Sequence, residues 1–454
     1  MIPPKPESRP ENVSLWRYAR LFRRDILSAQ PARLYRAWMA EFRTPFFRSF
    51  LVNQPDLVAR VLKGSVYDFP KSDRVSEGLR PLLGDAVFLT NGEVWERHRR
   101  IIDPAFEGGR LRDTFPSMRG AAQAAVERLM PQAGQGGAVE IEAVTSHVAA
   151  DVIFRTLFSI PIEHDTASRI FSRFRDFQRS QPLLNLAAFF PMPRWVPRFH
   201  NRRTRTAARD IRRLIAELVR GRQGELSAGT APDDLATKIM TMADPETGQR
   251  LSPGEMVDQV AIFFLAGHET SASALGWALY LLALNPGWQE KVAAEAGNLS
   301  DMGFQDVSGL RVSQSVFREA LRLYPPVPMM VRESTRVQRF RDRDVPKGAQ
   351  IVISPWHLHR HERLWENPDG FDPGRWQTEN GRKCQHNAFI PFSAGPRVCT
   401  GAGFAMIEGT LLLSALVKAF RFAPVKAITP IPVAHLTVRS KEGLWLSLQP
   451  REPT

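Results

Sequence analysis

Cys399 lies in the run Phe392-Ser-Ala-Gly395-Pro-Arg397-Val-Cys399-Thr-Gly401, a loop suited to holding one thiolate at close quarters. Gly395 and Gly401 carry no β-carbon, so the backbone can turn tightly there or pass close to a flat ligand. Arg397 offers a fixed fork of donors to a carboxylate near the sulfur. Beyond Gly401, apolar residues recur at helical spacing (Ala402, Phe404, Ala405, Ile407, Leu411, Leu412, Ala415, Leu416). That pattern puts the sulfur at a helix N-terminus, where the dipole and free N–H groups favour a thiolate. The competing reading of this cysteine is a buried structural thiol after a turn.

A second group of reactive side chains stands in Ala266-Gly267-His268-Glu269-Thr270-Ser271. Glycine inside a helix costs about 1 kcal/mol relative to alanine, and an acid beside a hydroxyl at core depth is unfavourable unless used. Together they point to a locally widened helix whose groove holds oxygen or water, with Glu269 and Thr270 delivering protons. The alternative is a threonine bonded back to the carbonyl four residues earlier. His268 lies about 200° around the helix from Thr270 and reads as structural or solvent-linked. Ile262, Phe263 and Ala266 share the Thr270 face and would wall a pocket.

The spacing Phe-x-x-Gly-x-Arg-x-Cys-x-Gly resembles the haem-binding loop of the cytochromes P-450, whose cysteine thiolate is the proximal ligand of the haem iron. Further motifs follow that family's order. Ala-Gly-His-Glu-Thr is similar to the oxygen-binding groove of its central helix. Glu319-Ala-Leu-Arg322 is similar to its Glu-x-x-Arg helix, closed into a structural ion network by Arg375 of Phe371-Asp-Pro373-Gly-Arg375-Trp376, where Gly374 and Trp376 replace the commoner Glu and Phe. Trp95-Glu-Arg-His98-Arg99 matches a Trp-x-x-x-Arg that meets a haem propionate. The resemblance implies Arg332 and Arg397 as the other propionate partners, and includes His98, Phe392, Gly401 and Ala266 among the residues around the cofactor. In His357-Leu-His359-Arg-His361 the family carries a His-Arg pair, so a structural role outweighs a metal site. Cys384 with His386 is too sparse for closed zinc coordination.

These groups need elements to hold them. Ser252-Pro253-Gly254-Glu255 is a capping box with proline at the first helical position. The helix it starts runs to Asn285-Pro286 and must cross the whole molecule. Phe50-Leu51-Val52 reads as a strand feeding a helix with Leu57, Val58, Val61 and Leu62. Helical periodicity dominates from about 93 to 220 and breaks between Pro182 and Pro197. In 202–220, Ala208, Ile211, Ile215 and Leu218 form one face, and Arg202, Arg205, Arg209 and Arg212 stripe another. That basic face reads as solvated. Short runs at 350–353 and 444–448 supply a minor β component. The expected fold is mainly α with small β-sheets, the cytochrome P-450 fold with a long central helix. Residues 1–13 are expected to be a flexible arm and 14–454 a single catalytic domain.

Lys plus Arg exceed Asp plus Glu by 61 − 47, a net charge of +14. That favours anionic partners, but no aromatic residues interleave the arginines, so nucleic acid is not expected. The two cysteines make no disulfide framework and suit a reducing cytosol. No stretch of about 20 apolar residues marks a transmembrane anchor. The segment 15–27 could form an amphipathic helix packed on the protein's own body.

The resemblance, spanning about 50–445, implies a soluble, cytoplasmic, bacterial-type haem-thiolate monooxygenase. It would carry haem b (iron protoporphyrin IX) and insert one oxygen atom of O2 into a small apolar substrate. Its nearest flavour is that of bacterial fatty-acid hydroxylases. Electrons would come from a separate ferredoxin or flavodoxin-type donor with its reductase, docking where Arg100, Arg110, Arg112 and Lys383 add positive charge. Phe88, Ile262, Phe263, Val327, Met329 and His435 would line the substrate pocket. A peroxide-using hydroxylase of the same fold, or a non-catalytic haem sensor or ligand-binding protein, are the alternatives; the Glu269–Thr270 pair argues against both.

Overall fold

The capping box at Ser252 starts the axis of the molecule. Ser252 accepts from the Glu255 N–H while the Glu255 carboxylate accepts from the Ser252 N–H, and the helix runs over Pro253–Leu284. Its 32 residues span about 48 Å. The computed structural model describes residues 2–452 apart from 44–46, 134–136, 181–201, 298–301, 426 and 435. The proline-marked break between Pro182 and Pro197 lies outside the described residues, as does His435.

In chain order the helices are α1 Leu15–Arg24, α2 Pro55–Lys63, α3 Asp73–Leu83, α4 Gly92–Ile102, α5 Gly109–Ala133, α6 Ile141–Phe158, α7 Asp165–Ser180, α8 Arg202–Ala228, α9 Leu235–Thr241 and the axial α10. They continue with α11 Pro286–Gly297, α12 Arg311–Leu323, α13 Pro355–Leu358, α14 Glu379–Asn387 and α15 Ala402–Ala419. Helix α10 is apolar nearly all round, which is why it can be buried on every side by α6, α8, α12 and α15. Strands β1 (Met39–Arg43) and β2 (Arg48–Val52) form a hairpin, and β2 pairs in parallel with Gln350–Ile353, which pairs in turn with Met330–Glu333. This sheet covers a second apolar cluster containing Phe50, Trp365, Trp376 and Cys384. The short strand Ala138–Glu140, the strand Trp445–Pro450 and the strand Phe420–Pro424 form a three-stranded sheet, and a hairpin of Pro432–Ala434 with Val438–Ser440 lies apart from it.

Two expectations change. The first 13 residues carry no helix or strand, yet they are tied down rather than loose. The Tyr324 hydroxyl donates to the Pro4 carbonyl at 2.7 Å, Lys5 pairs with Asp369, and the Arg9 Nε donates to the Ala29 carbonyl at 2.8 Å. The chain-distant acceptors that hold them are invisible to local composition. Helix α1 forms, but Trp16 is 85% exposed, so its largest apolar side chain does not pack on the body. Among the described residues α15 is the one helix long and apolar enough to cross a membrane, and over half of it is buried inside the protein.

Candidate active site

The Cys399 loop is shaped by close approach. The Cys399 N–H donates to the Phe392 carbonyl at 2.9 Å and the Val398 N–H to the Gly395 carbonyl at 3.0 Å, closing the turn. Gly395 has φ +71°, and a β-carbon there would meet the Leu62 carbonyl oxygen at 2.2 Å, so this position admits only glycine against α2. A β-carbon at Gly401 would meet nothing within 4 Å. Helix α15 begins three residues after Cys399, as its periodicity requires. Burial nevertheless pushes the thiol up from its ordinary value, against the Gly401 N–H and Arg99, which favour the thiolate. The helix terminus alone therefore does not hold the sulfur ionised. The Cys399 side chain is nevertheless exposed, so the neighbouring protein desolvates the sulfur without covering it.

A saturated network supports the loop. On α12, Glu319 accepts from Arg322 at 2.8 and 2.9 Å and from Arg375 at 2.9 Å. The remaining Arg322 donors reach the carbonyls of His359, Pro368 and Gly370, and those of Arg375 reach Glu366, Asn367 and Gly370. His359 carries the network to the cysteine: its Nδ1 lies 3.3 Å from the Arg322 carbonyl, and its Nε2 accepts from the Ile390 N–H at 2.9 Å, two residues before Phe392. His357 bonds Ser354 at 2.8 Å and His361 stacks on Trp38, so each imidazole of this run has a structural partner. No cluster of three His, Cys, Asp or Glu able to hold a metal occurs among the described residues.

Helix α10 carries the second set of candidate residues. Ala266 is exposed in the middle of this otherwise buried helix, and Phe263, Gly267 and Thr270 beside it are only half-buried. Small apolar side chains at core depth are exposed only where the core opens. The Thr270 hydroxyl donates to the Ala266 carbonyl at 2.5 Å, leaving its lone pairs free to accept. Helix α10 is α-helical without a break, so the expected local widening is absent. Gly267 has another cause: its β-carbon would meet Ile153 Cδ1 at 2.4 Å, where α6 crosses. His268 is buried between Phe171 and Phe264 with Nε2 2.7 Å from the Ser146 hydroxyl, and burial pushes it down to about 3.

Glu269 is placed differently from expectation. It is 6% exposed. Its Oε1 accepts from the Thr437 hydroxyl and the Arg439 guanidinium, both at 3.0 Å, while Oε2 is buried without a partner. The carboxylate therefore reaches solvent only past the 432–440 hairpin. Its neighbour Ser271 donates to Glu408 of α15 at 2.6 Å. Burial raises the Glu408 carboxyl to about 8 against that hydrogen bond.

At one edge of the cleft cations gather without acids. Arg332 is 8% exposed and donates to its own neighbour's carbonyl, and burial lowers it to about 10. Arg397 makes only long bonds, 3.4 Å, to the Phe69 and Val66 carbonyls, leaves Nε unpartnered, and lies 4.9 Å over the Trp95 ring. Lys71, missed in the sequence, donates to the Val87 carbonyl at 2.6 Å and forms a backbone bridge with Arg332. None of the three has an ion-pair partner among the described residues. Arg99 pairs with Asp103 at 2.7 Å and donates to Val398 O and Thr400 Oγ1, bracing the cysteine loop. His98 lies on the same helix. It is buried, 3.5 Å from both Glu255 and Gln259 near the start of α10. Phe88 is 45% exposed, and Val327 and Met329 are half-buried beside β-strand 330–333.

Exposed Cys399 and Ala266, a glycine with no neighbour, and three cations without acid partners, one with an orphaned guanidinium Nε, fit a flat cofactor bearing carboxylates. Comparison with known proteins agrees. The profile of the family described as "Cytochrome P450" matches residues 35–446. The chain is 31% identical over 388 residues to a cytokinin hydroxylase of Arabidopsis thaliana, covering 84% of this chain and 74% of that protein. It is 30% identical over 432 residues to cyclooctat-9-en-7-ol 5-monooxygenase of Streptomyces melanosporofaciens, covering 92% and 88%. Among solved structures it superposes on the haem domain of cytochrome P450DA with a TM-score of 0.80 and 25% identity, covering 100% of this chain and 98% of that one.

Proposed function

The chain belongs to the cytochrome P450 family and is a monooxygenase of that family; from this premise we propose a hydroxylase of small apolar molecules that uses haem b, with Cys399 as the iron ligand. The observations that carry the reading are that Cys399 is exposed in its loop and that Ala266 is exposed in the middle of a mostly buried α10; the proposal sets the two across one cleft. Haem, when bound, supplies oxygen activation. Cys399 would ligate the iron, Arg332, Arg397 and Lys71 would hold the carboxylates, and Trp95, Phe392 and Gly401 would border the ring. Arg99 would act through the loop it braces.

Thr270, its hydroxyl donating to the Ala266 carbonyl, would offer its lone pairs to a donor beside α10 and pass a proton by short relay. Glu269 would feed that relay; Thr437 and Arg439 hold its Oε1, and its Oε2 is buried with no partner among the described residues. Ile262, Phe263, Phe88, Val327 and Met329 would exclude water and shape the pocket. Their apolar character supports an apolar substrate of the kind bacterial fatty-acid hydroxylases take.

Electrons would come from a separate ferredoxin or flavodoxin-type protein with its reductase. Arg112 and Lys383 are exposed and can attract an acidic donor. Arg100 cannot contribute much, since Asp244 and Glu246 pair with it. The two free thiols suit a reducing, cytoplasmic location. Incubation with O2, NAD(P)H and a surrogate redox pair, after screening apolar compounds for a haem spectral shift, tests the reading. Oxygenated product supports it. A substrate-induced spectral shift without any product under reducing conditions would favour a ligand-binding protein instead.

A further inference from the structure

One face of α1 is left uncovered by the rest of the described chain. Trp16, Arg17, Arg20, Arg23 and Arg24 fall within about 120° of the helix circumference. All five are exposed, Trp16 at 85%. The opposite face, with Tyr18, Ala19, Leu21 and Phe22, is half-buried. There the Arg9 guanidinium lies 5.6 Å over the Tyr18 ring, and the Phe22 ring packs 5.7 Å from that of Tyr18. The helix therefore turns its apolar stripe to the body and still presents an indole among four guanidinium groups. It holds no acid. The acids that flank it are engaged: Glu11 pairs with Arg33, and buried Asp25 accepts from the Leu27, Ser28 and Ala434 N–H groups. None of the four arginine side chains has an ion-pair partner among the described residues.

More exposed apolar surface adjoins the end of this helix. Asp25 bonds the Ala434 N–H at 2.7 Å and the Ile26 N–H donates to the Ala434 carbonyl at 3.2 Å, tying the α1 C-terminus to the 432–440 hairpin. On either side of Ala434, Ile431 is 48% and Leu436 39% exposed. We propose that this surface docks on an anionic lipid bilayer, with Trp16 seated at headgroup level and the α1 arginines on lipid phosphates. The side-chain chemistry selects lipid over an acidic protein. A single indole ringed by cations lacks the packed apolar centre of a protein hot spot. It matches the headgroup layer, which is apolar on its inner side and anionic on its outer. Helix α1 has 10 residues, half of the roughly 20 that spanning requires, so the contact is peripheral. The net charge of +14 adds long-range attraction to the same surface.

Flotation of the full chain with vesicles tests this, using phosphatidylcholine alone and phosphatidylcholine mixed with phosphatidylglycerol. The parent should float with the mixed vesicles and not with the neutral ones, and added salt should weaken the binding. Trp16→Ala should partition about tenfold more weakly, and Arg20→Gln about fivefold. Both side chains are exposed, so both variants should melt with the parent. The double variant Arg205→Gln with Arg209→Gln removes equally exposed charge from α8 and should bind as the parent does. Independently, mixed vesicles should shift the parent's tryptophan emission to the blue, and Trp16→Phe should lose that shift. A parent that ignores mixed vesicles, or binds neutral ones equally well, overturns the proposal. So does a loss shared equally by the α8 variant, or one seen in Arg20→Gln but not in Trp16→Ala, since either is charge attraction without docking. Trp16-dependent self-association without vesicle binding would make a second copy of the chain the occupant and overturn it as well.

Discussion

On the cysteine side of the cleft every donor of Arg322 is used, and Glu319, Arg375 and His359 form a closed set around it. On the α10 side the polar atoms are left open: Glu269 Oε2, Glu408 Oε1 and His268 Nδ1 are buried without partners among the described residues. The first arrangement can do little but stay in place, because any shift breaks several charge-assisted bonds at once. The second has unfilled valence for water and protons to occupy. A cofactor must be gripped on one side and served on the other; the ion network behind the cysteine loop is closed, while the loop itself keeps Ser393 Oγ and Arg397 Nε without partners.

If that division is right, the largest effects of mutation on stability belong to the cysteine side. Arg375→Ala leaves Glu319 buried with one cation instead of two, which should cost about 3–5 kcal/mol and reduce haem retention. Urea unfolding of the variant measures this. Haem-loaded Arg375→Ala with parental stability would count against the closed set.

Glu408 sharpens the contrast from the seam between α10 and α15. Its folded pKa of about 8 lies above the ordinary 4.5, so the stability linked to its bound proton is fully present below about 4.5 and is lost as pH rises through about 8. Glu408→Gln mimics the protonated acid at every pH. Its advantage over the parent should therefore grow from pH 5 to pH 9, reaching on the order of a few kcal/mol. Thermal melts of both proteins over that range check it; parallel curves would mean that Glu408 is ionised throughout.

Gly267→Ala is expected to cost about 1–3 kcal/mol by overpacking Ile153, and Gly267→Ala combined with Ile153→Val should recover part of it. A cost unrelieved by the second change would return the glycine to a role in the groove.

Thr270→Ala should have the smallest effect on stability, about 1 kcal/mol or less, since it removes one exposed-face hydrogen bond. Its signature is functional. Haem and substrate binding should survive while product per NAD(P)H falls and hydrogen peroxide rises. Glu269→Gln should slow turnover instead, and Arg439→Gln should resemble it by releasing Oε1. Unchanged coupling in Thr270→Ala would make its bond to Ala266 the whole of its role.

Motif-bearing residues were legible in the sequence because their spacing is local. The capping box at Ser252, the helix after Gly401 and the strand at 350–353 all stand where periodicity puts them. What sequence could not show was set by partners far along the chain. Thr437 and Arg439 reach Glu269 across roughly 170 residues, and Lys71 is one lysine after a proline with no pattern around it. His98 and Arg99 are adjacent on α4, yet one faces α10 and the other the cysteine loop; a motif names residues without fixing which way each turns. Gly267 taught the reverse: its local oddity suggested a widened groove, while its cause is a side chain on α6.

The central claim is that Cys399 faces Ala266 across a haem. Carbon monoxide difference spectra of the reduced parent and of Cys399→Ser test it most directly. The parent should show the red-shifted Soret band of a thiolate-ligated ferrous complex, and Cys399→Ser should lose that band even where some haem is retained. A red-shifted band surviving in Cys399→Ser would place the ligand elsewhere and contradict the account.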